Sequence, residues 1–243
     1  MGVVIRAADA EDRDLVVRLL DGAFQDDPVS GWVFPEEEYR RRTHHRLMAA
    51  FADIVFAEGR IDVTEDGTAC ALWLSVPADA PGAADGNDAA GTSAEADGTE
   101  GAEASDGADE AVRLREAVDP ANPRVEEIAR LMAGAHPAGP AHEYLWMIAV
   151  APDRQGEGLG GELVRHVLDR CDREGLPAYL EASSARSTRL YERLGFTFTG
   201  PALELPDGPR MWPMWREPRT GTAATPHAAR SLVNQGRPAV QDA

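Results

Sequence analysis

At 243 residues the chain has room for one domain of ordinary size or two small ones. Its formal net charge of −18 argues against the clustered basic face of a nucleic-acid binder, and no apolar run approaches membrane-spanning length. With no cationic flank ahead of an apolar segment at the start, and with Cys70 and Cys171 placed as reduced core residues, the expected location is the cytoplasm.

Val3 to Ala7 reads as a first strand, and Asp9 can cap a helix whose apolar face holds Leu15, Val16, Leu19, Leu20 and Ala23, with Phe24 at its end. A second helix is expected from Glu36 to Phe56, leaving the aromatic-bearing segment Phe24 to Pro35 between the two. Arg60 to Thr64 and Thr68 to Leu74 look like a hairpin around Asp66 and Gly67. From Pro77 to Glu110 the chain contains only small and polar residues, with about ten carboxylates and no Lys or Arg. Such a tract cannot bury enough apolar surface to offset its ordering entropy, so a disordered acidic insertion is expected at about 78–110. It holds more than half of the net charge, leaving a moderately acidic folded part. Helical patterns follow near Ala111 to Val118 and Arg124 to Ala133.

Tyr144 to Val150 is a run of bulky and β-branched residues, the composition of a buried strand. After the loop Ala151 to Gly158, the apolar residues Leu159, Leu163, Val167, Leu168 and Cys171 recur at helical spacing, stopped by Gly175 and Pro177. Pro177 to Ser183 reads as a strand and Ser187 to Leu194 as a short helix. Two strands near Phe196 to Leu205 and Arg210 to Arg216 finish a mixed sheet, and the tail 218–243 is small and polar, expected to be disordered.

The loop Gln155-Gly156-Glu157-Gly158-Leu159-Gly160-Gly161 carries the chemistry. Each glycine costs backbone entropy unless the conformation, or something close to the main chain, requires it. Free N–H groups at a helix start, reinforced by the helix dipole, favour a phosphate or diphosphate. Gly156, Gly158 and Gly161 also satisfy the dinucleotide pattern G-x-G-x-x-G, with Glu181 following at a suitable distance. Against that reading, four residues separate strand from first glycine, and too little chain follows for a doubly wound sheet. A Walker A loop fails because no Lys-Ser or Lys-Thr follows.

Gln155-Gly-Glu-Gly158-Leu-Gly160 resembles motif A of the GNAT superfamily of N-acetyltransferases. Tyr179-Leu-Glu181-Ala-Ser183 with Leu190-Tyr191-Glu-Arg-Leu194-Gly195-Phe196 is similar to its motif B. Residues 142 to 217 look most like the puromycin N-acetyltransferase group of small-molecule acetyltransferases, while residues 1 to 77 resemble it more weakly. The resemblance implies a single α/β (α+β) domain over 1–217, with a mixed, mostly antiparallel sheet flanked by helices. Its implied cosubstrate is acetyl-CoA, held by Ala149, Val150, Gln155 to Gly161 and Ser187; Ser187 stands where the family often has Asn. No metal is expected.

In that family the strand position of Val150 offers its backbone N–H to the thioester carbonyl, where negative charge develops. Tyr191 stands where the family keeps a tyrosine that protonates the leaving thiolate, although packing against the sheet is an alternative role. Glu181 is either the base that accepts the amine's proton or an anchor for a cationic substrate. Phe24, Trp32, Trp73 and His142 are acceptor-side candidates; Trp32 can equally dock its loop on the core. His44 and His45 diverge on one helix and lack a third ligand. The expected activity is N-acetylation of a small-molecule amine, an antibiotic or aminonucleoside among the candidates, by direct transfer in a monomer or homodimer. Acetylation of a protein N-terminus or lysine, and an acyl-CoA-binding regulatory module without turnover, remain alternatives.

Overall fold

The structure, a computed structural model, describes residues 2–78 and 100–219. Strand β1 (Ile5–Ala7) is followed by a turn in which Asp12 accepts the Asp9 N–H at 3.0 Å and Asp9 accepts that of Glu11 at 2.9 Å. That reciprocal cap delays helix α1 (Arg13–Phe24), which buries Val16, Leu19 and Leu20. A short helix, α2 (Pro28–Val33), occupies the segment for which no element was expected. Asp27 caps it by accepting the Val29 N–H at 2.9 Å, and Pro28 sits at its first position, where no N–H is needed. Helix α3 (Glu37–Glu58) then leads into the expected hairpin of β2 (Arg60–Thr64) and β3 (Ala69–Val76), turning through Gly67 at φ +68°.

Helix α4 (Glu100–Val118) begins well before the expected Ala111 and takes in the end of the acidic tract; residues 79–99 lie outside the described residues, as does the tail beyond 219. Ala and Glu favour helix, and α4 has α5 (Pro123–Ala135) to lie against, with Ala111 and Val118 buried. Next come β4 (His142–Val150), α6 (Leu159–Glu174), β5 (Ala178–Ala182), α7 (Ala185–Arg193), β6 (Thr197–Phe198), β7 (Leu203–Glu204) and β8 (Arg210–Arg216).

The strands form one sheet in the order β1-β2-β3-β4-β5-β8-β6, with β7 paired to β8. Every pairing is antiparallel except β4 with β5. Helices α1 and α3 cover one face around Leu20, Met48, Val55 and Leu72. Helix α6 covers the other with Leu163, Val164, Val167, Leu168 and Cys171, each larger side chain contributing about 1.5–3 kcal/mol of burial. Gly175, at φ +73°, ends α6 by donating its N–H to Cys171. The expected mixed, mostly antiparallel sheet flanked by helices is present. No helix among the described residues is long and apolar enough to cross a membrane.

Two local irregularities open this sheet. The parallel pair β4 and β5 is in register only at Glu143 with Ala178 and Tyr144 with Tyr179, so the strands part beyond those residues. Opposite, Leu72 pairs with Met147 and Trp73 with Leu145, which leaves Trp146 as an extra, bulged residue. A bulge bends its strand and re-aims a side chain, and Trp146 lines the opening.

Candidate active site

Where β4 and β5 part lies a cleft of about 860 Å³, lined from α1, α2, α3, α5, β4, the start of α6, and α7. At its phosphate-suited part Gly156 and Gly158 have φ +89° and +90°, and an added Cβ would meet nothing within 4 Å among the described residues at either position. Conformation, with open space above, therefore selects glycine there. Gly160 is different: its Cβ would lie 3.4 Å from Ile148 Cδ1, so the first turn of α6 rests directly on β4. Gly158 is the N-cap of α6 and supplies no side-chain cap, so N–H groups of the first turn remain for an external acceptor. Arg186, Arg189 and Arg193, on one face of α7, line the same cleft. The sequence reading missed these arginines, although their i, i+3, i+7 spacing was visible. Together with the α6 N-terminus they suit a diphosphate-bearing cosubstrate.

The Ala151 N–H donates to the Thr68 carbonyl at 2.8 Å, across the β3 edge. Alternate residues of an antiparallel strand address opposite edges, so the Val150 N–H faces the edge that β5 has left. Gln155 Nε2 donates to the Val150 carbonyl at 3.4 Å.

Three carboxylates line the cleft, exposed Asp26 and the more enclosed Glu181 and Asp27. Glu181, on β5, accepts the Tyr144 hydroxyl on Oε2 at 2.7 Å, while its buried Oε1 has no hydrogen-bond partner among the described residues. Burial pushes the Glu181 carboxyl above the usual range, outweighing the opposing effect of the nearby Tyr144 and Tyr179 hydroxyls. Asp27 accepts the Ser183 hydroxyl at 2.6 Å and the Val29 N–H at 2.9 Å, yet burial raises its pKa too. The sequence reading missed Asp27, whose Asp-Pro signal for a capped helix was present. Tyr191 lines the cleft and packs edge-on against Phe196, with ring centroids 5.9 Å apart. Burial, then the charge of Asp27, push its phenol well above 10.

Of the other residues singled out from sequence, Phe24, Gln155, Leu159, Gly161 and Ser187 also line the cleft. Ser187 is not the cap of α7, however. Ser184 is, accepting the Ser187 N–H at 3.1 Å, and the Ser187 hydroxyl closes the reciprocal cap by accepting the Ser184 N–H at 3.2 Å. Ala149 is fully buried in the core by strand alternation, and Glu157 turns outward to Arg154 at 2.9 Å; neither side chain reaches the cleft.

Three acceptor-side candidates lie elsewhere. Trp32 donates its indole N–H to the Pro206 carbonyl at 2.8 Å beneath the Arg124 guanidinium, which docks its helix on the turn before β8. Trp73 packs on the α6 face because Leu72, one residue earlier, faces α3. His142 is at the opposite end of β4 from Val150, in contact with His136 (Nε2 to Nε2, 3.1 Å) and Trp215. Among the described residues no group of three or more His, Cys, Asp or Glu is arranged to hold a metal. Burial pushes the Cys171 thiol up to about 11, so it is no thiolate nucleophile at neutral pH.

Residues 126–196, which contain this loop, β5 and α7, match the family model described as Acetyltransferase (GNAT) family. The fold is that of the GNAT acetyltransferases. It is shared with a Corynebacterium glutamicum protein described as histone acetyltransferase and related acetyltransferase (TM-score 0.61, 24% identity, 91% of this chain and 99% of that one). Arylalkylamine N-acetyltransferase 2 from Aedes aegypti matches with TM-score 0.60 at 14% identity, over 89% of this chain and 99% of that one. Among curated proteins, the mycothiol acetyltransferase of Brachybacterium faecium is 38% identical over 64 residues, 25% of this chain and 19% of the relative. The ribosomal protein bS18-alanine N-acetyltransferase of Escherichia coli is 46% identical over 55 residues, 21% of this chain and 37% of the relative. The chain thus spans well under half the length of these curated relatives.

Proposed function

We propose that the protein transfers an acetyl group from acetyl-CoA to the primary amine of a small molecule. The observation that carries this reading is the charge arrangement of a single cleft. A helix N-terminus and Arg186, Arg189 and Arg193 suit an anionic donor, while Asp27 and Glu181 suit a cationic acceptor. Acetyl-CoA supplies the activated thioester; the residues present fit its diphosphate, as the open glycine loop indicates.

The Val150 N–H is the donor toward which charge develops on the thioester oxygen. Tyr191 returns a proton to the departing sulfur. Its raised pKa keeps the phenol protonated, although it makes that transfer more uphill than the ordinary values of phenol and thiol suggest. Asp27 anchors the ammonium, and Glu181, with one oxygen free, either accepts its proton or shares in the anchoring.

Apolar residues of the acceptor wall, Val29, Phe51, Trp146, Met147 and Met211, favour a compact amine with an apolar body, in line with the resemblance to the puromycin N-acetyltransferase group. Purified protein with acetyl-CoA should release CoA thiol with at least one amine in a panel of puromycin, other aminonucleosides, aminoglycosides, polyamines and arylalkylamines. Tight acetyl-CoA binding without thiol release across that panel would favour a binding module. An acetylated protein found by mass spectrometry would move the substrate class to a protein.

A further inference from the structure

Ser30, on α2, lines the cleft and makes a 3.0 Å hydrogen bond between its Oγ and His44 Nε2. His44 Nδ1 is 2.7 Å from Asp21 Oδ1. The His44 side chain is 0% exposed and that of Asp21 29%. A carboxylate at Nδ1 holds the ring proton there, so Nε2 is the acceptor for the Ser30 hydroxyl, the arrangement used by Ser-His-Asp sites. The three residues come from α2, α3 and α1 and make a continuous path from the cleft, through the buried layer, to a solvent-touching carboxylate.

We propose that Ser30, His44 and Asp21 are a proton relay that takes up the acceptor amine's proton during acetyl transfer. This rests on the acetyl-transfer reading above, in which each turnover of an ammonium frees one proton. Glu181 alone makes a poor acceptor, because its Oε2 is already occupied by the Tyr144 hydroxyl and the carboxyl is buried. Along the relay the ammonium N–H bond breaks as an O–H bond forms on Ser30, and the former hydroxyl proton of Ser30 passes to His44 Nε2. His44 then carries a proton on each nitrogen, paired through Nδ1 with Asp21; once the product leaves, the Nε2 proton returns through Ser30 to water entering the cleft, which restores the Nδ1–H ring.

Asp21 faces His44 from α1 and Asp27 acts on it from the loop before α2. The Phe34 ring meets it edge-on at 5.8 Å, and His45, next on α3, acts on Asp21. The α2 cap places Asp27 beside the same path, and Asp27 reaches Ser183 on the far wall. A Ser-His-Asp set can also support a nucleophile, but acetyl transfer to the amine needs no covalent step on Ser30.

The test is the pH profile of kcat for Ser30→Ala and His44→Gln with the best amine of the panel, beside calorimetric acetyl-CoA affinity. Both variants should bind acetyl-CoA within about two-fold and lose roughly 10²-fold in kcat near pH 7. Both should recover toward wild type at pH above the amine's own pKa, where the acceptor arrives without its extra proton. Ser30→Ala removes a single oxygen, which keeps the test decisive if His44→Gln folds poorly. Wild-type turnover in Ser30→Ala at every pH, or an equal loss at every pH, overturns the relay. An acetyl group on Ser30 in intact-mass spectra overturns it in favour of a nucleophile. Absence of thiol release by the wild type with every amine sinks the acetyl-transfer reading and the relay with it, an outcome visible before any variant is made.

Discussion

The hydroxyl of Ser183 donates to Asp27 at 2.6 Å and so joins the loop that starts α2 to the end of β5 across the cleft. A carboxylate held this way costs little further ordering when it meets an ammonium, and burial strengthens that charge interaction.

Asp27→Asn keeps the shape and an acceptor for Ser183 but removes the charge. Hydrogen bonds to charged groups contribute about 1.5–3 kcal/mol, so kcat/KM for a cationic acceptor should fall roughly 10- to 100-fold. Acetyl-CoA affinity should stay unchanged in calorimetry. Equal losses in acceptor and acetyl-CoA binding would assign Asp27 to the architecture of the cleft.

Burial raises the folded-state pKa of Glu181 above its ordinary 4.5. The fold therefore favours the protonated form: the stabilising contribution is complete below 4.5 and is lost as pH rises through the raised value. Glu181→Gln stays neutral throughout. It should raise Tm by a few degrees at pH 8 and change it little near pH 4, a difference that scanning calorimetry reads directly. A lower Tm at pH 8 would contradict the burial argument.

The strand, glycine loop and helix on one side of the cleft were legible because their signals are local. A β-branched run, a glycine loop and an amphipathic helix are consecutive in the chain, and their boundaries fell within a few residues of β4 and α6. The opposite wall was much less legible, since its pairs are distant: Ser30 meets His44 across 14 residues, His44 meets Asp21 across 23, and Asp27 meets Ser183 across 156. His44 was noticed only as a metal ligand lacking partners. Strand alternation turned Trp73 away, and the bulge gave Trp146 the place in the cleft that Trp73 had been expected to hold. Sequence periodicity predicts faces, but not the single extra residue that re-aims one.

Gly158 stands at φ +90° with open space above it, so alanine there is strained by conformation while glutamate also adds bulk and negative charge. A left-handed conformation costs an L residue about 1–2 kcal/mol. Gly158→Ala should weaken acetyl-CoA binding by roughly ten-fold, and Gly158→Glu should abolish it, as should Gly160→Glu. Titration calorimetry with acetyl-CoA and free CoA separates the cases. Tight NADH binding without CoA binding would return the loop to the dinucleotide class.

Tyr191→Phe tests the chemistry most directly. The ring is buried against Phe196, and removing one oxygen leaves that packing in place, so Tm and acetyl-CoA affinity should hold within a few-fold. If the phenol protonates the sulfur, kcat should fall by roughly 10²-fold or more. Because burial and Asp27 raise the phenol's pKa, the wild type should show no alkaline loss of rate from Tyr191 ionisation up to pH 10. A thioester with a more acidic thiol needs less help in leaving, so the gap between variant and wild type should narrow with such a donor. Near-wild-type turnover of Tyr191→Phe with acetyl-CoA, under conditions where chemistry limits the rate, would make the tyrosine a packing residue and leave water or the acceptor to supply the proton.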